Sequence, residues 1–320
     1  MATHTLETET YRRELTVHCY RFFGSLTDAE DAVQETMLRA WTREKDLEKR
    51  SSLRKWLYSI ATNVCIDMQR APQRRSLPMD LVDSGNVPTT QDPLTTRPER
   101  TWIGPIPDAR LGHAGDPSEL TLQRDSVRLA FIATLQHLPP RQRAVLILRD
   151  VLAWSAKECA ELLDDSVASI NSALSRARLT MAEHDPAGTS TTLDDAADAL
   201  LREYVSAFEA FDISRLVELL AEDARFSMPP FELWLRGRDS IEQWWRGPGQ
   251  VCRNARTIIT TANGQPAVAV YHSAGPGQWA PFAIHVLDVA DDRISMITQF
   301  IGPEHFHDFG LPPKLDEHPA

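Results

Sequence analysis

The sequence predicts a multidomain chain, two all-α segments followed by an α+β domain, and three observations carry that prediction. Residues 11–70 keep a helical spacing of apolar positions with almost no Gly or Pro. A stretch dense in Pro, Gly, Thr and Asp follows, and helical periodicity returns near Leu120 and runs to about Glu183. After Leu193 two helical patterns give way to β-branched alternation, "ARTIITTANGQPAVAVYHS" and "APFAIHVLDVADDRISMITQF", which marks at least three strands.

The bulk properties set the frame. A chain of 320 residues with 42% hydrophobic and 25% charged residues is long enough for two or three domains that each bury a core. It holds no run of about 18 apolar residues, and "MATHTLETETYRRE" lacks the basic-then-apolar order of a signal peptide, so the expected compartment is the cytoplasm. Cys19, Cys65, Cys159 and Cys252 are scattered without metal-ligand spacing; they are expected to be reduced and mostly buried, and no metal or cofactor is expected. The formal charge of -11 divides unevenly: -2 over residues 1–10, +4 over 11–75, -3 over 76–138, zero over 139–184 and -10 over 185–320. The acidity thus belongs to the last segment and does not argue against nucleic-acid binding by the first two.

The expected domains are 1–75, a flexible linker over 76–118, 119–184, and 192–320. The linker reads as a tether because its Pro/Gly-rich composition has no period and is too long for a loop inside one compact domain.

In the second helical segment, Pro140 suits the first turn of a helix carrying Ala144, Val145, Leu148 and Leu152. Ser155 followed by Glu158 is a capping-box pattern that starts the next helix, whose apolar face is Ala156, Cys159, Ala160 and Leu163. "DDS" supplies a turn and an N-cap at Ser166. The following helix buries Ile170, Ala173, Leu174 and Ala177 and leaves Ser169, Asn171, Ser172, Ser175, Arg176 and Arg178 outside. Small residues let a helix enter a major groove, Asn pairs with an adenine edge, and Arg grips guanine or phosphate. Residues 166–182 are therefore the recognition helix of a helix-turn-helix candidate; taken alone, the pair reads more readily as a surface hairpin with solvated arginines.

The run "LQHLPPRQRAVLILRDVLAWSAKECAELLDDSVASINSALSRARLTM" resembles region 4 of sigma-70 family transcription initiation factors of the extracytoplasmic-function type. "YRRELTVHCYRFFGSLTDAEDAVQETMLRAWTR" with "SSLRKWLYSIATNVCIDMQR" resembles region 2 of the same family, with no region 3 between the two. The resemblance implies that region 2 binds the clamp helices of the polymerase β′ subunit and melts and reads the -10 element. It implies that region 4 reads the -35 element and touches the β flap. Carried onto "DAEDAVQET", Ala29, Ala32, Val33, Thr36 and Ala40 form a buried stripe, and Asp31, Gln34 and Glu35 become the polymerase-facing groups.

For the -10 element, Leu53, Leu57, Ile60, Ala61 and Val64 form the core side of a helix. Arg54, Lys55, Trp56, Tyr58, Asn63, Asp67, Arg70, Arg74 and Arg75 then make a basic, aromatic DNA surface. Trp56 and Tyr58 are not both assigned to base stacking, since either can be core, and the base-capturing loop near Lys45 to Ser52 is placed by the resemblance alone. For the -35 element the resemblance selects Ser169, Asn171, Ser172, Ser175, Arg176 and Arg178. Many relatives place Arg near position 171 or 173, where this chain has Asn171 and Ala173, so the resemblance does not fix the -35 preference, though the general role is unaffected.

The third segment, with "LRGRDSIEQWW" and its closing strand pair, resembles the SnoaL-like, nuclear-transport-factor-2-like α+β cone. Members of that fold include cyclases and isomerases, for which His272, His285, Asp288 and "PEHFHDFG" are conceivable acid/base groups, although no spacing specifies a reaction. The expectation is a non-enzymatic domain whose negative charge docks on regions 2 and 4 or on the tether, with "FGLPPKL" contributing. The resulting expectation is an alternative sigma factor that binds polymerase core and promoter DNA. Its rivals are a stand-alone helix-turn-helix regulator and a cyclase-like enzyme with an accessory DNA-binding part.

Overall fold

A computed structural model of the chain describes residues 8–43, 52–69, 74–89, 92–111, 117–184 and 195–317. They divide into two compact units, Met1–Arg75 with Ala109–Ala187, and Ser76–Asp108 with Gly188–Ala320.

The first unit is helical. α1 (Arg12–Phe23) buries Leu15, Cys19 and Phe22 and ends at Gly24, whose positive φ of 63° lets its N–H return to the Tyr20 carbonyl at 2.7 Å. α2 (Leu26–Thr42) begins at Ser25, whose hydroxyl accepts from the Asp28 N–H at 3.3 Å, and it buries Ala29, Ala32, Val33, Thr36 and Ala40. α3 (Leu53–Met68) inserts Leu57, Ile60, Ala61 and Val64 into the same core. α4 (Pro117–Asp125), α5 (Leu129–Leu135) and α6 (Pro140–Leu146) follow, with Pro140 in the first turn of α6. Then come α7 (Ala156–Leu163) and α8 (Val167–His184). The capping box forms as its sequence demands: Glu158 N–H donates to Ser155 Oγ at 3.2 Å and Ser155 N–H donates to Glu158 Oε2 at 2.8 Å.

The second unit is the α+β domain, with helices α9 (Asp195–Glu209), α10 (Ile213–Glu218), α11 (Arg238–Arg246) and the short α12 (Glu304–Asp308). Its strands are β1 (Leu220–Ser227), β2 (Trp234–Arg236), β3 (Arg256–Ala262), β4 (Gln265–Gly275), β5 (Gln278–Ala290), β6 (Arg293–Ile301) and β7 (Leu315–Asp316). They form one sheet in the order β2-β1-β6-β5-β4-β3, with β7 on β5; β1 and β6 are parallel and the other pairs antiparallel. Register shifts in β4–β5 and β5–β6 bend the sheet. Tyr204, Phe208 and Leu216 from the helices pack with Phe226, Val268, Val270, Leu287 and Ile297 from the strands.

The structure departs from the expected free tether. Residues 76–108 belong to the α+β unit, while the described residues 109–111 and 117–118 belong to the helical one, 117–118 in α4. Leu77, Trp102, Ile103 and Ile106 of the segment are buried. Ile106 N–H donates to Asn263 Oδ1 at 3.1 Å, Asn263 N–H returns to the Ile106 carbonyl at 2.9 Å, and Gly264 N–H donates to Asp108 Oδ1 at 2.8 Å. Farther back, Trp234 Nε1 donates to the Val82 carbonyl at 2.8 Å, and Val87 and Leu94 pack on the sheet core. Apolar residues scattered without a period fold here by pairing with a surface that is distant in sequence. The tail departs likewise: Leu315 pairs with Trp279 and Tyr271 Oη donates to the Pro312 carbonyl at 3.0 Å, so "FGLPPKL" is part of the domain itself.

Ile106→Ala removes a fully buried side chain from this seam and should destabilise the α+β unit by about 2–4 kcal/mol. Limited trypsin digestion checks it: the bond between Arg100 and Thr101 should be cut earlier in the variant than in the parent chain.

Candidate nucleic-acid interface

On α2 the buried stripe turns Asp31 and Gln34 fully outward. Neither side chain has a hydrogen-bond partner among the described residues. Glu35 is half-buried and accepts from Arg39 Nε at 2.6 Å, and Arg39 Nη1 also reaches Asp67 Oδ2 at 3.2 Å. The same outward face carries Leu38 and Trp41, 53% and 71% exposed, which the charge-based reading missed. Their signal in the sequence was the spacing i+7 and i+10 from Asp31.

The α3 surface is corrected. Trp56 and Tyr58 are 4% and 2% exposed, so neither ring is displayed for stacking. Tyr58 meets the His18 ring edge at 5.0 Å and lies 6.3 Å from Trp154, and its hydroxyl donates to Glu14 at 3.3 Å. Two helical segments, read separately in the sequence, share this core. Arg54 is exposed yet donates to Glu14 at 2.9 Å with its guanidinium 5.1 Å from the Tyr58 ring centre. Lys55 pairs with Glu158, and that ammonium, with the Ser155 capping bonds, lowers the Glu158 carboxyl to about 2. Asn63 is exposed, its amide donating to the Ser59 carbonyl at 3.0 Å. Arg74 lies against His137, and Arg75 donates to Asp28 at 2.6 Å. Arg70 and residues 45–51 of the expected base-capturing loop lie outside the described residues. A cleft of about 130 Å³ lined by Arg39, Arg43, Trp56, Ser59 and Asn63 opens beside α7.

On α8, Ile170, Leu174 and Ala177 face the core, and Asn171, Ser172, Ser175 and Arg176 are exposed. Ser169 serves the turn: its N–H donates to Ser166 Oγ at 3.1 Å and its hydroxyl to Asp165 Oδ2 at 3.0 Å. Arg178 grips Asp150 through Nε at 2.9 Å and Nη2 at 2.7 Å. A surface pair of this kind contributes only about 0–1 kcal/mol.

Within this unit the two helical segments are fastened by arginines. Arg143 of α6 donates to the Phe22 carbonyl at the end of α1, to Gln69 Oε1 at 3.1 Å, to Gln136 Oε1 at 3.0 Å and to the Leu138 carbonyl at 3.1 Å. Arg21 of α1 donates to Ser126 Oγ at 3.1 and 2.8 Å. Burial draws both guanidinium groups down to about 10, which leaves them charged at neutral pH.

In the α+β unit, His285 is fully buried with Nδ1 3.0 Å from the Tyr204 hydroxyl, and its Nε2 has no hydrogen-bond partner among the described residues. His272 stacks on Phe282 at 3.5 Å. Burial lowers these imidazoles to about 3 and about 4. Asp288 pairs across to Met296 on β6, and His307 is exposed on α12; neither is brought to His285. No described helix is long and apolar enough to cross a membrane.

Comparison with known proteins matches residues 8–75 to Sigma-70 region 2, residues 128–181 to Sigma-70 region 4, and residues 201–297 to the SnoaL-like domain. The chain is 46% identical over 313 residues to the ECF RNA polymerase sigma factor SigG of Mycobacterium tuberculosis, spanning 96% of this chain and 84% of that one. It is 26% identical over 318 residues to SigJ of the same organism, covering 94% and 92%. The crystal structure of SigJ superposes with a TM-score of 0.60 at 23% identity over 96% of this chain and 99% of that one, a likeness of fold.

His285 ties stability to pH. Its folded pKa is depressed from 6.5 to about 3, so its contribution is complete above pH 6.5 and is lost as pH falls toward 3, where only the unfolded chain takes the proton. His285→Gln should reduce the acid-side slope of unfolding free energy by about 1.4 kcal/mol per pH unit, measured by denaturant titration between pH 6 and 4.

Proposed function

The chain belongs to the ECF RNA polymerase sigma factors, and on that premise we propose that it directs core polymerase to promoters through the named faces of regions 2 and 4. The observation that carries the proposal is the pair of outward faces on α2 and α8, one acidic and polar, the other small, polar and basic. Asp31, Gln34 and Glu35 meet the basic clamp helices of β′ by charge-assisted hydrogen bonds. Asn171, Ser172, Ser175 and Arg176 read the -35 major groove, while Ser169 orients the helix start and Arg178 takes a phosphate. Arg54, Lys55, Asn63, Asp67, Arg70 and Arg74 track the -10 strand, and the cleft beside Asn63 and Arg43 receives an unpaired base edge. Trp56 and Tyr58 support that helix from the core.

The two elements are about 25 base pairs apart by their numbering, roughly 85 Å at 3.4 Å per pair. Lys55 of region 2 touches Glu158 of region 4 in this structure, so the helical unit must open before both elements are read. The SnoaL-like domain modulates that opening without chemistry of its own. The chain leaves region 2 at Arg75, is held by the α+β unit to Asp108, and only then enters region 4. Released and fully extended, residues 76–108 span roughly 110 Å at about 3.4 Å per residue; held, they limit how far the regions separate. The strongly acidic surface of the domain adds a docking option on the basic faces of regions 2 and 4. The place of action is the cytoplasm, where the polymerase works.

Purified chain with core enzyme should give promoter-dependent transcripts, and Asp31→Ala/Gln34→Ala/Glu35→Ala should reduce them at least tenfold by weakening core binding, measured as Kd. Strong operator binding by the chain alone with no transcripts would sink the reading. Arg176→Ala should weaken binding to the -35 sequence by about 1–3 kcal/mol if the contact is a bidentate one to guanine. An equal loss on every sequence, with a shallower salt dependence, would reassign it to phosphate. Removal of residues 193–320 should change promoter output; unchanged output and core affinity would discard the modulatory role.

A further inference from the structure

Each of the eight tryptophans lies among the described residues, and Trp41 alone is exposed; the others are buried or half-buried. At 100° per residue, Asp31, Gln34, Leu38 and Trp41 fall within about 80° of the α2 circumference, opposite the buried Ala29, Val33, Thr36 and Ala40. Leu38 and Trp41 thus extend the carboxylate-bearing stripe toward the carboxyl end of the helix. At 53% and 71% exposure they leave apolar surface in water on the face that carries Asp31 and Gln34. Glu30, on the flank, is 3.4 Å from Arg110, and Glu35 is tied to Arg39, so the one carboxylate of the stripe without a partner among the described residues is Asp31.

We infer that Trp41, with Leu38 beside it, is the apolar anchor of the core-polymerase contact, and that Asp31 and Gln34 fix its orientation rather than supply most of its affinity. This rests on the reading of α2 as the polymerase-facing helix. Interfaces concentrate affinity in a few aromatic side chains that become fully desolvated, and charges at the rim mainly steer and align. The partner surface this face fits is a basic helical one with an apolar depression deep enough for an indole. A basic patch alone would satisfy Asp31 and leave Trp41 in water.

The test measures core-polymerase affinity by fluorescence anisotropy of the labelled full-length chain, with Trp41→Ala, Trp41→Phe, Leu38→Ala and the Asp31/Gln34/Glu35 triple alanine variant in parallel. Thermal unfolding should be unchanged in the Trp41 and Leu38 variants, because both side chains are exposed. Trp41→Ala should weaken core binding roughly thirtyfold or more, the range of an interface hot spot, with Trp41→Phe recovering most of it and Leu38→Ala giving a smaller loss. Wild-type affinity in Trp41→Ala overturns the inference, while loss in the triple variant then still supports α2 as the polymerase face. Loss in neither removes both. Normal core binding by Trp41→Ala with failed promoter binding by the assembled holoenzyme would make Trp41 a DNA contact, also overturning the inference. A wild-type dimer that Trp41→Ala dissociates, seen by sedimentation, would identify a second copy as the occupant and overturn it equally.

Discussion

The carbonyl of Phe22, at the last turn of α1, is the point on which the helical unit depends. It accepts from Gln69 Nε2 at 3.1 Å, from Gln136 Nε2 at 3.3 Å and from Arg143. The end of a helix presents carbonyls with no partner of their own and the negative end of its dipole. A guanidinium brought there from α6 therefore satisfies both. It also joins the segment read as region 2 to the segment read as region 4 without a carboxylate. Burying an arginine with carbonyls and amides alone retains its desolvation penalty largely uncompensated. Arg143 Nε has no hydrogen-bond partner among the described residues. The join is specific in geometry yet modest in net stability.

Everything around that join follows its logic. Lys55 and Glu158, Arg54 and Glu14, Arg178 and Asp150 are surface pairs whose basic members the proposed function assigns to DNA. Each is individually weak, so the closed arrangement keeps the basic faces neutralised at little energetic cost to opening. Trp56 and Tyr58 are different: their rings are core, and they hold α3 while its polar edge changes partners. The SnoaL-like domain enters through the chain connection. Residues 76–108, which join the two sigma regions in sequence, belong to its unit.

Much of this was legible because it is local. The Ser155–Glu158 capping box, the alanine-rich stripe of α2, the N-cap at Ser166 and the strand alternation of β3 to β6 each depend on residues within a few positions of one another. The α2 and α8 outward faces follow from the same spacing. What sequence reasoning missed depends on distant partners. Ile106 meets Asn263 across 157 positions, so a segment with no period read as a tether although its apolar residues are buried. Tyr58 sits beside Trp154 of the other helical segment, and an aromatic residue on a basic helix gave no local sign of that neighbour. Leu38 and Trp41 were visible by spacing but were passed over, since charge, not exposed apolar area, guided the search for a partner face.

The central claim is that the helical unit is closed here and opens to work. The four cysteines of the chain are buried, so spin labels at Arg13→Cys on α1 and Lys157→Cys on α7 report on the two regions. Their separation, measured by pulsed electron–electron resonance in the free chain and in complex with core polymerase and promoter DNA, decides it. The account predicts a short, narrow distance in the free chain and an increase of tens of ångströms in the complex. An unchanged distance in a transcriptionally competent complex would contradict it.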